Sequence, residues 1–211
     1  GIAGVHGNGQ TELIEAICGL APIYSGRLTF EDQDISSLSV RQRHQSGIAH
    51  IPEDRQKSGM IGAFSVAENM ILNAYYENDY ASGVEIDWQK AHHKVAELCL
   101  KYDVRTPSVF LPAGSLSGGN QQKMVVAREL ERAIKLVVAA QPTRGVDVGS
   151  IEYIHKQLIA CRDAGNGVML ISSELDEIIN LSDRIYVMFN GRISGEFDNR
   201  TGKADRQLIG L

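Results

Sequence analysis

Gly4-Val5-His6-Gly7-Asn8-Gly9-Gln10-Thr11 places three glycines in eight residues, between a short apolar stretch and a helical pattern. Residues without a Cβ let successive backbone N–H groups converge, and a helix that starts there adds a partial positive charge. The segment fits the phosphate-loop pattern G-x4-G-K-[ST] at every position except the lysine, which is Gln10. The competing dinucleotide pattern G-x-G-x-x-G fails, because Gly7 and Gly9 are followed by Glu12. A glycine-rich turn that binds nothing is the other reading of these residues taken alone. Without the lysine a point charge is missing from the terminal phosphates, and Glu12 adds a negative one. At ~4 Å and an effective dielectric near ~20, a unit charge is worth on the order of 4 kcal/mol before desolvation. The loop is therefore expected to hold a nucleotide weakly and to stabilise a transferring phosphoryl group poorly.

Around this loop, apolar strand-like runs at 1–4, 27–30, 47–51, 135–140, 167–172 and 184–189 alternate with helical patterns at 11–20, 39–45, 65–76, 88–102, 118–133, 148–163 and 174–180. Ser65-Val-Ala-Glu68 and Ser173-Glu-Leu-Asp176 have the spacing of capping boxes. Strand then helix, repeated, predicts an α/β fold with a mostly parallel sheet covered by helices. Residues 52–115 break the rhythm, with no evident strand, and predict an inserted helical subdomain. The expected division is an α/β core over 1–51 and 134–211 and a helical subdomain over 52–133. Asn190-Gly191 between two strand-like runs predicts a hairpin. Gly1-Ile2-Ala3-Gly4 reads as the tail of a buried strand, so the chain is expected to be part of a longer polypeptide lacking the domain's first strands.

With 21 basic against 26 acidic residues, net −5, the charge argues against electrostatic nucleic-acid binding. No apolar run approaches the length of a membrane span, so a membrane link is expected only through a partner. Cys18, Cys99 and Cys161 form no CxxC and read as buried thiols. His92-His93 reads as a solvated face, and Trp88 and Tyr75-Tyr76 as too scattered for an aromatic cage.

Leu116-Ser117-Gly118-Gly119-Asn120-Gln121-Gln122-Lys123 is a second glycine-rich helix start, with Ser117 as its N-cap. Free N–H groups, a hydroxyl and a helix dipole together suit an anion, although for the segment taken alone an ordinary capped helix with a flexible entry is the better reading. Downstream lie Leu136-Val-Val-Ala-Ala140-Gln141-Pro142-Thr143-Arg144-Gly145-Val146-Asp147 and Leu170-Ile-Ser-Ser173-Glu-Leu. In order, spacing and strand context, the phosphate loop, LSGGNQQ and these two segments resemble the Walker A, signature, Walker B/D-loop and switch-histidine motifs of ABC transporter ATPases. Ile51-Pro52-Glu53-Asp54-Arg55 and Ala-Ala-Gln-Pro-Thr-Arg-Gly-Val-Asp resemble the second nucleotide-binding domain of tandem ATPases in simple-sugar and nucleoside importers, the nucleoside group in particular.

The resemblance implies a P-loop NTPase (RecA-like) fold with ATP and Mg²⁺ as cofactors, weakly held or partner-dependent. Gly4, Gly7, Asn8, Gly9, Gln10, Thr11 and Glu53 then line the nucleotide, with Thr11 as a possible Mg²⁺ ligand. It also implies that the chemistry has been removed. Gln10 stands for the Walker A lysine, Ala140 for the Walker B aspartate, Gln141 for the general-base glutamate and Ser173 for the switch histidine. An amide cannot accept the attacking water's proton, and losing one general base removes about 10²–10⁴ in rate. Leu116, Ser117, Gly118, Gly119, Asn120 and Gln121 remain intact. In the family they complete a partner's site in trans, with Asp147 in the D-loop at the dimer seam. The implied role is the binding and coupling half of an importer ATPase at the cytoplasmic face of the inner membrane. The implied partners are a second nucleotide-binding domain in the same polypeptide and transmembrane permease subunits, with no nucleic acid and no direct membrane insertion. The fragment itself is expected to be soluble. The alternatives are a self-sufficient ATPase, disfavoured by the missing groups, and a non-transport ATP-binding regulator of the same fold. A dinucleotide-dependent oxidoreductase fails on its motif.

Overall fold

The computed structural model describes residues 1–201; the end of the expected 134–211 segment, residues 202–211, lies outside them. The described chain divides into two compact units, one of 1–50, 133–141 and 158–201, the other of 51–132 and 142–157. The stretch 142–157, read from sequence with the core, belongs to the second unit.

The first unit is built on a six-stranded sheet of β1 (Ile2–Ala3), β4 (Ile48–Ile51), β7 (Leu136–Ala140), β8 (Gly167–Ser172), β9 (Arg184–Phe189) and β10 (Arg192–Asp198), in the order β10-β9-β1-β8-β7-β4. β1 runs parallel to both neighbours, pairing Ile2 with Ile171 and Tyr186, and Ala3 with Ser172 and Val187. β7 runs parallel to β8, with Ala140 opposite Ile171. The carboxyl ends of β1, β7 and β8 are thus in register, the edge where α/β sheets place their ligands. β10 returns antiparallel to β9 through the expected turn, with Asn190 and Gly191 both left-handed (φ 45° and 71°).

Helix α1 (Gln10–Cys18) buries Ile14 and Ile17 against Ile2, Ile48, Val138 and Ile171. It ends at left-handed Gly19, where a Cβ would lie 3.0 Å from Arg43 Nε. Arg43, on α2 (Val40–Gln45) and only 2% exposed, donates to the carbonyls of Ala16, Ile17, Ser36 and Leu38. The last carbonyls of a helix have no partner within it, and a buried cation satisfies them and complements the dipole. The run at 27–30, expected as a sheet strand, is instead β2 (Thr29–Phe30) of a separate hairpin with β3 (Gln33–Asp34). Its turn residues Glu31 and Asp32 are left-handed, and neither strand is buried.

The second unit packs α3 (Val66–Met70), α4 (Trp88–Lys101) and α5 (Gly118–Leu130) around Val66, Met70, Val95, Leu98 and Met124. The Ser65–Glu68 capping box forms in both directions. α3 is shorter than the expected 65–76, because beyond Met70 the chain turns by three-residue bonds, Ala74 N–H to Ile71 and Glu77 N–H to Ala74. That spacing buries Ile71 and Ala74 on one side. The expectation of no strand here is corrected by a small hairpin, β5 (Ala81–Ser82) with β6 (Glu85–Ile86). Gly83 (φ 68°) leads its two-residue turn, a Gly-X pattern. Asn69, fully buried, accepts from Ile61 N–H and donates to the carbonyls of Ile61, Phe64 and Ser65, fixing the loop that precedes α3. α6 (Val148–Asp163) and α7 (Leu175–Leu181) complete the described helices. None of these is long and apolar enough to cross a membrane. The three cysteines are buried as expected and form no disulfide with one another, and burial raises the Cys99 thiol to about 11.

Replacing Arg43 by leucine strands several buried carbonyls, so urea unfolding should show a loss of about 3 kcal/mol. Arg43→Lys, with one ammonium for four acceptors, should recover less than half. A loss below about 0.5 kcal/mol for the leucine variant would show that the carbonyls find water instead.

Candidate functional site

The expected site residues fall into two sets, one in each unit. In the first, the loop Gly4–Thr11 links β1 to α1, and Gly7 and Gly9 take the left-handed conformation (φ 89° and 104°) that the glycines permit. A Cβ at Gly9 would lie 2.9 Å from both Gly191 Cα and Met188 Cε, so the β9–β10 turn lies directly on the loop. Asn8 is held by that turn: Asn190 N–H donates to its Oδ1 (3.0 Å) and Gly191 N–H to its carbonyl (2.8 Å). A recess of about 520 Å³ is lined by Gly7, Asn8, Gly9, Glu12, Met188 and Gly191.

Gln10 does more than omit a charge. Its side chain is 93% buried, folded back under the loop. Oε1 accepts from Asn8 N–H (3.1 Å) and Nε2 donates to the Val5 carbonyl (3.1 Å). Nε2 approaches Gly4 so closely that no Cβ would fit there. The carboxamide thus takes an N–H that an anion in the loop would use.

At the same edge, Ala140 is buried among Ile2, Ile14 and Ile171. Gln141 follows in a left-handed conformation (φ 46°), its N–H bound to the Ile171 carbonyl (2.8 Å). Its Oε1 accepts from Ser173 N–H (3.2 Å) and from Ser173 Oγ (3.3 Å). The two residues lined up with the base and the switch therefore meet, as an amide and an alcohol. Neither can take a proton from water near neutral pH. This contact also corrects the expected Ser173–Asp176 capping box. Ser173 is turned to Gln141, and α7 starts from Glu174 with no side-chain cap. Mg²⁺ prefers oxygen ligands in a near-octahedral set, with carboxylates among them. Here position 140 offers only a methyl group, the Gln141 amide oxygen is already engaged, and Glu12 is the single carboxylate in the described lining of the recess. This set does not fit a resident Mg²⁺.

The second unit holds Glu53, Leu116–Gln121 and Asp147. Leu116 packs against the second core, and Gln121, nearly buried, donates back to the Leu116 carbonyl (3.1 Å). Ser117 caps α5, its Oγ accepting from Asn120 N–H (3.4 Å) and Asn120 Nδ2 (3.0 Å). A Cβ on Gly118 would lie 2.7 Å from Arg55 Nη2, and one on Gly119 would collide with Asp147 and Ser150. Asp147 caps α6, accepting from Ser150 N–H (3.0 Å) and Oγ (2.8 Å), and those bonds hold its carboxyl below the usual range. Arg144 pairs with the Glu53 carboxylate, whereas Arg55 donates to the carbonyls of Arg144 (2.8 Å) and Gly145 (3.1 Å). A polar groove of about 390 Å³ runs beside them, lined by Ser117, Asn120, Lys123, Asp147 and Tyr153. His92, expected on a solvated face, instead lies between Trp88 and Phe110, with ring centroids 5.5 and 4.5 Å away.

The sequence placed these residues in four motifs but did not show their mutual contacts. A buried glutamine in a loop of free N–H and C=O groups was the available signal for Gln10. Nothing in the sequence marked Asn8 as the partner of residues 190 and 191.

A model of the ABC transporter family matches residues 1–144. The guanosine import ATP-binding protein NupO of Bacillus subtilis (strain 168) is 51% identical over 193 residues, which cover 92% of this chain and 38% of that protein. The nucleoside import ATP-binding protein NupA of Lactococcus lactis subsp. cremoris (strain MG1363) is 46% identical over 211 residues, 100% of this chain and 41% of that protein. The chain spans about two fifths of the length of these curated relatives. Among solved structures, the dimeric bacterial ABC transporter cassette MJ0796 matches with TM-score 0.78 at 20% identity, over 94% of this chain and 84% of that one. The ADP conformation of the cassette MJ1267 matches with TM-score 0.75 at 24% identity, over 99% and 85%. At such identities the likeness speaks for the fold, which is that of the P-loop NTPases.

Titration of Mg-ATP into the chain is expected to give a Kd of about 100 μM or weaker, near −5.5 kcal/mol. Gln10→Ala frees Asn8 N–H and should tighten binding by about 3–10-fold, the worth of one net hydrogen bond. Weaker binding by Gln10→Ala would make the carboxamide a ligand and not an obstacle.

Proposed function

The chain belongs to the ABC transporter family, and we propose that it is the non-hydrolysing ATP-binding cassette of an importer for nucleosides or simple sugars, with Leu116–Gln121 completing the ATP site of another cassette. The observation that carries this reading is Gln10, whose side chain fills the loop that would hold phosphate. Gln141 and Ser173, bonded to each other, support it. A self-sufficient ATPase would need a base and a charge that these positions lack. The relatives' names favour nucleosides or guanosine, with glucose import represented at 43% identity.

The partners proposed are a second cassette in the same polypeptide and a membrane permease, with the chain peripheral at the cytoplasmic face. The relatives' extra length leaves room for that second cassette. The permease-facing surface is assigned to the loop Pro52–Ser65, which exposes Ile61 and Phe64 and is fixed from below by Asn69.

ATP, bound to the other cassette with its metal, supplies the phosphoryl group. This chain's residues offer donors. Ser117 Oγ accepts from Asn120, so its own proton is free for an anion. The first-turn N–H groups of α5 have no partner within the helix, and the dipole favours negative charge. One such donor, aimed at developing charge, is worth about 10²–10³ in rate.

The isolated chain should release phosphate from ATP no faster than buffer; turnover that co-purifies with it through successive columns would refute the silent site. In the complete subunit assembled with its permease, at saturating ATP, Ser117→Arg should abolish hydrolysis and Gln10→Ala should leave it within about twofold. The opposite pattern would make the phosphate loop of this chain the working one.

A further inference from the structure

The two glycines of Gly118-Gly119 answer to neighbours inside this chain. We infer that Arg55 is a positioning residue, a clasp that ties the loop 144–145 to the start of α5, and that position 118 is glycine in order to admit its guanidinium.

Residues 53–55 grip Arg144 from two sides. The Glu53 carboxylate takes its side chain, and Arg55 Nη1 donates to its carbonyl. The second arm of the same guanidinium, Nη2, donates to the Gly145 carbonyl. A planar fork suits two adjacent carbonyls, which an ammonium cannot match. A Cβ at 118 would lie 2.7 Å from Nη2 and 3.2 Å from the Gly145 oxygen. At Gly119 the space is taken by the Asp147–Ser150 cap of α6. The start of α5 thus rests on Arg55 at one glycine and on Asp147 at the next. Arg55 opens a π-helical turn, Arg55–Gly59, that Asp54 caps through Gln56 and Lys57 N–H. π-turns often mark functional sites. A shift of the loop 52–65 is therefore passed to 144–145 through the Arg55 bonds and to the start of α5 through the close approach at Gly118. The clasp is independent of the proposed function; its effect on hydrolysis rests on the reading that Ser117 serves another cassette.

A double-mutant cycle tests the clasp. Thermal melts of the chain with Gly118→Ala, Arg55→Ala and both together are compared with the parent. Gly118→Ala alone should lower Tm by about 2–4 °C, and in the Arg55→Ala background by less than about 1 °C, since the nearer colliding group is gone and only the Gly145 oxygen remains close. Equal shifts in both backgrounds would overturn the clasp. In the assembled subunit, Arg55→Ala should lower kcat at least tenfold at a temperature where the fold is intact. KM for ATP, set by the other cassette's phosphate loop, should move less than about threefold, and Arg55→Lys should restore part of kcat. An unchanged kcat would overturn the positioning role. If Ser117→Arg spares turnover, the trans reading fails instead, and the melts still decide the clasp.

Discussion

Ile2 and Ala3 are bonded on both sides, to Ile171–Ser172 and to Tyr186–Val187, and the functional edge of the first unit is registered from them. Parallel pairing fixes which residues end together. Because Ala3 lies opposite Ser172, and Ile171 opposite Ala140, the phosphate loop, Gln141 and Ser173 all leave the sheet at one level. A slip of one residue would turn Ile2 out of the core it shares with Ile14 and Ile171. Burial of those side chains, more than any bond within the loop, therefore sets where the loop begins.

At that edge the side chains are neutral, and they satisfy one another. A buried donor or acceptor without a partner costs about 1–3 kcal/mol. Gln10 meets this demand on the backbone of its own loop, and Gln141 meets it on Ser173. Such pairing is self-sufficient, where a lysine or glutamate at these positions would need a ligand or counter-charge. The second unit differs. Ser117 Oγ accepts from Asn120, and Asp147, Glu53 and Arg55 make contacts that shape the backbone around it.

Much of this was legible in the sequence, for reasons that differ by element. β7, β8 and β9 announce themselves because buried parallel strands are continuous apolar runs. Asn190-Gly191 gives its turn away because few other residues accept two left-handed positions. The run at 27–30 was legible as a strand but not as half of a hairpin, and the hairpin at 81–86 escaped notice, since two-residue strands carry no period to detect. Ser173 had the spacing of a cap but a stronger partner from β7, a choice only tertiary structure makes. Likewise the sequence offered LSGG as a helix start suited to an anion, while the neighbours that crowd its glycines, Arg55 and Asp147, lie remote along the chain.

The hold of the β9–β10 turn on Asn8 has a thermodynamic consequence. Fixing one residue's backbone costs roughly 1–2 kcal/mol in conformational entropy, so ordering an eight-residue loop costs on the order of 10 kcal/mol. Here folding has already met that cost, through Asn190 and Gly191 N–H on Asn8. An anion reaching the recess would order nothing further; it would only exchange places with an amide. Affinity at this loop is then a matter of competition between two acceptors for one N–H, with an enthalpic sign and little dependence on the flexibility of the chain.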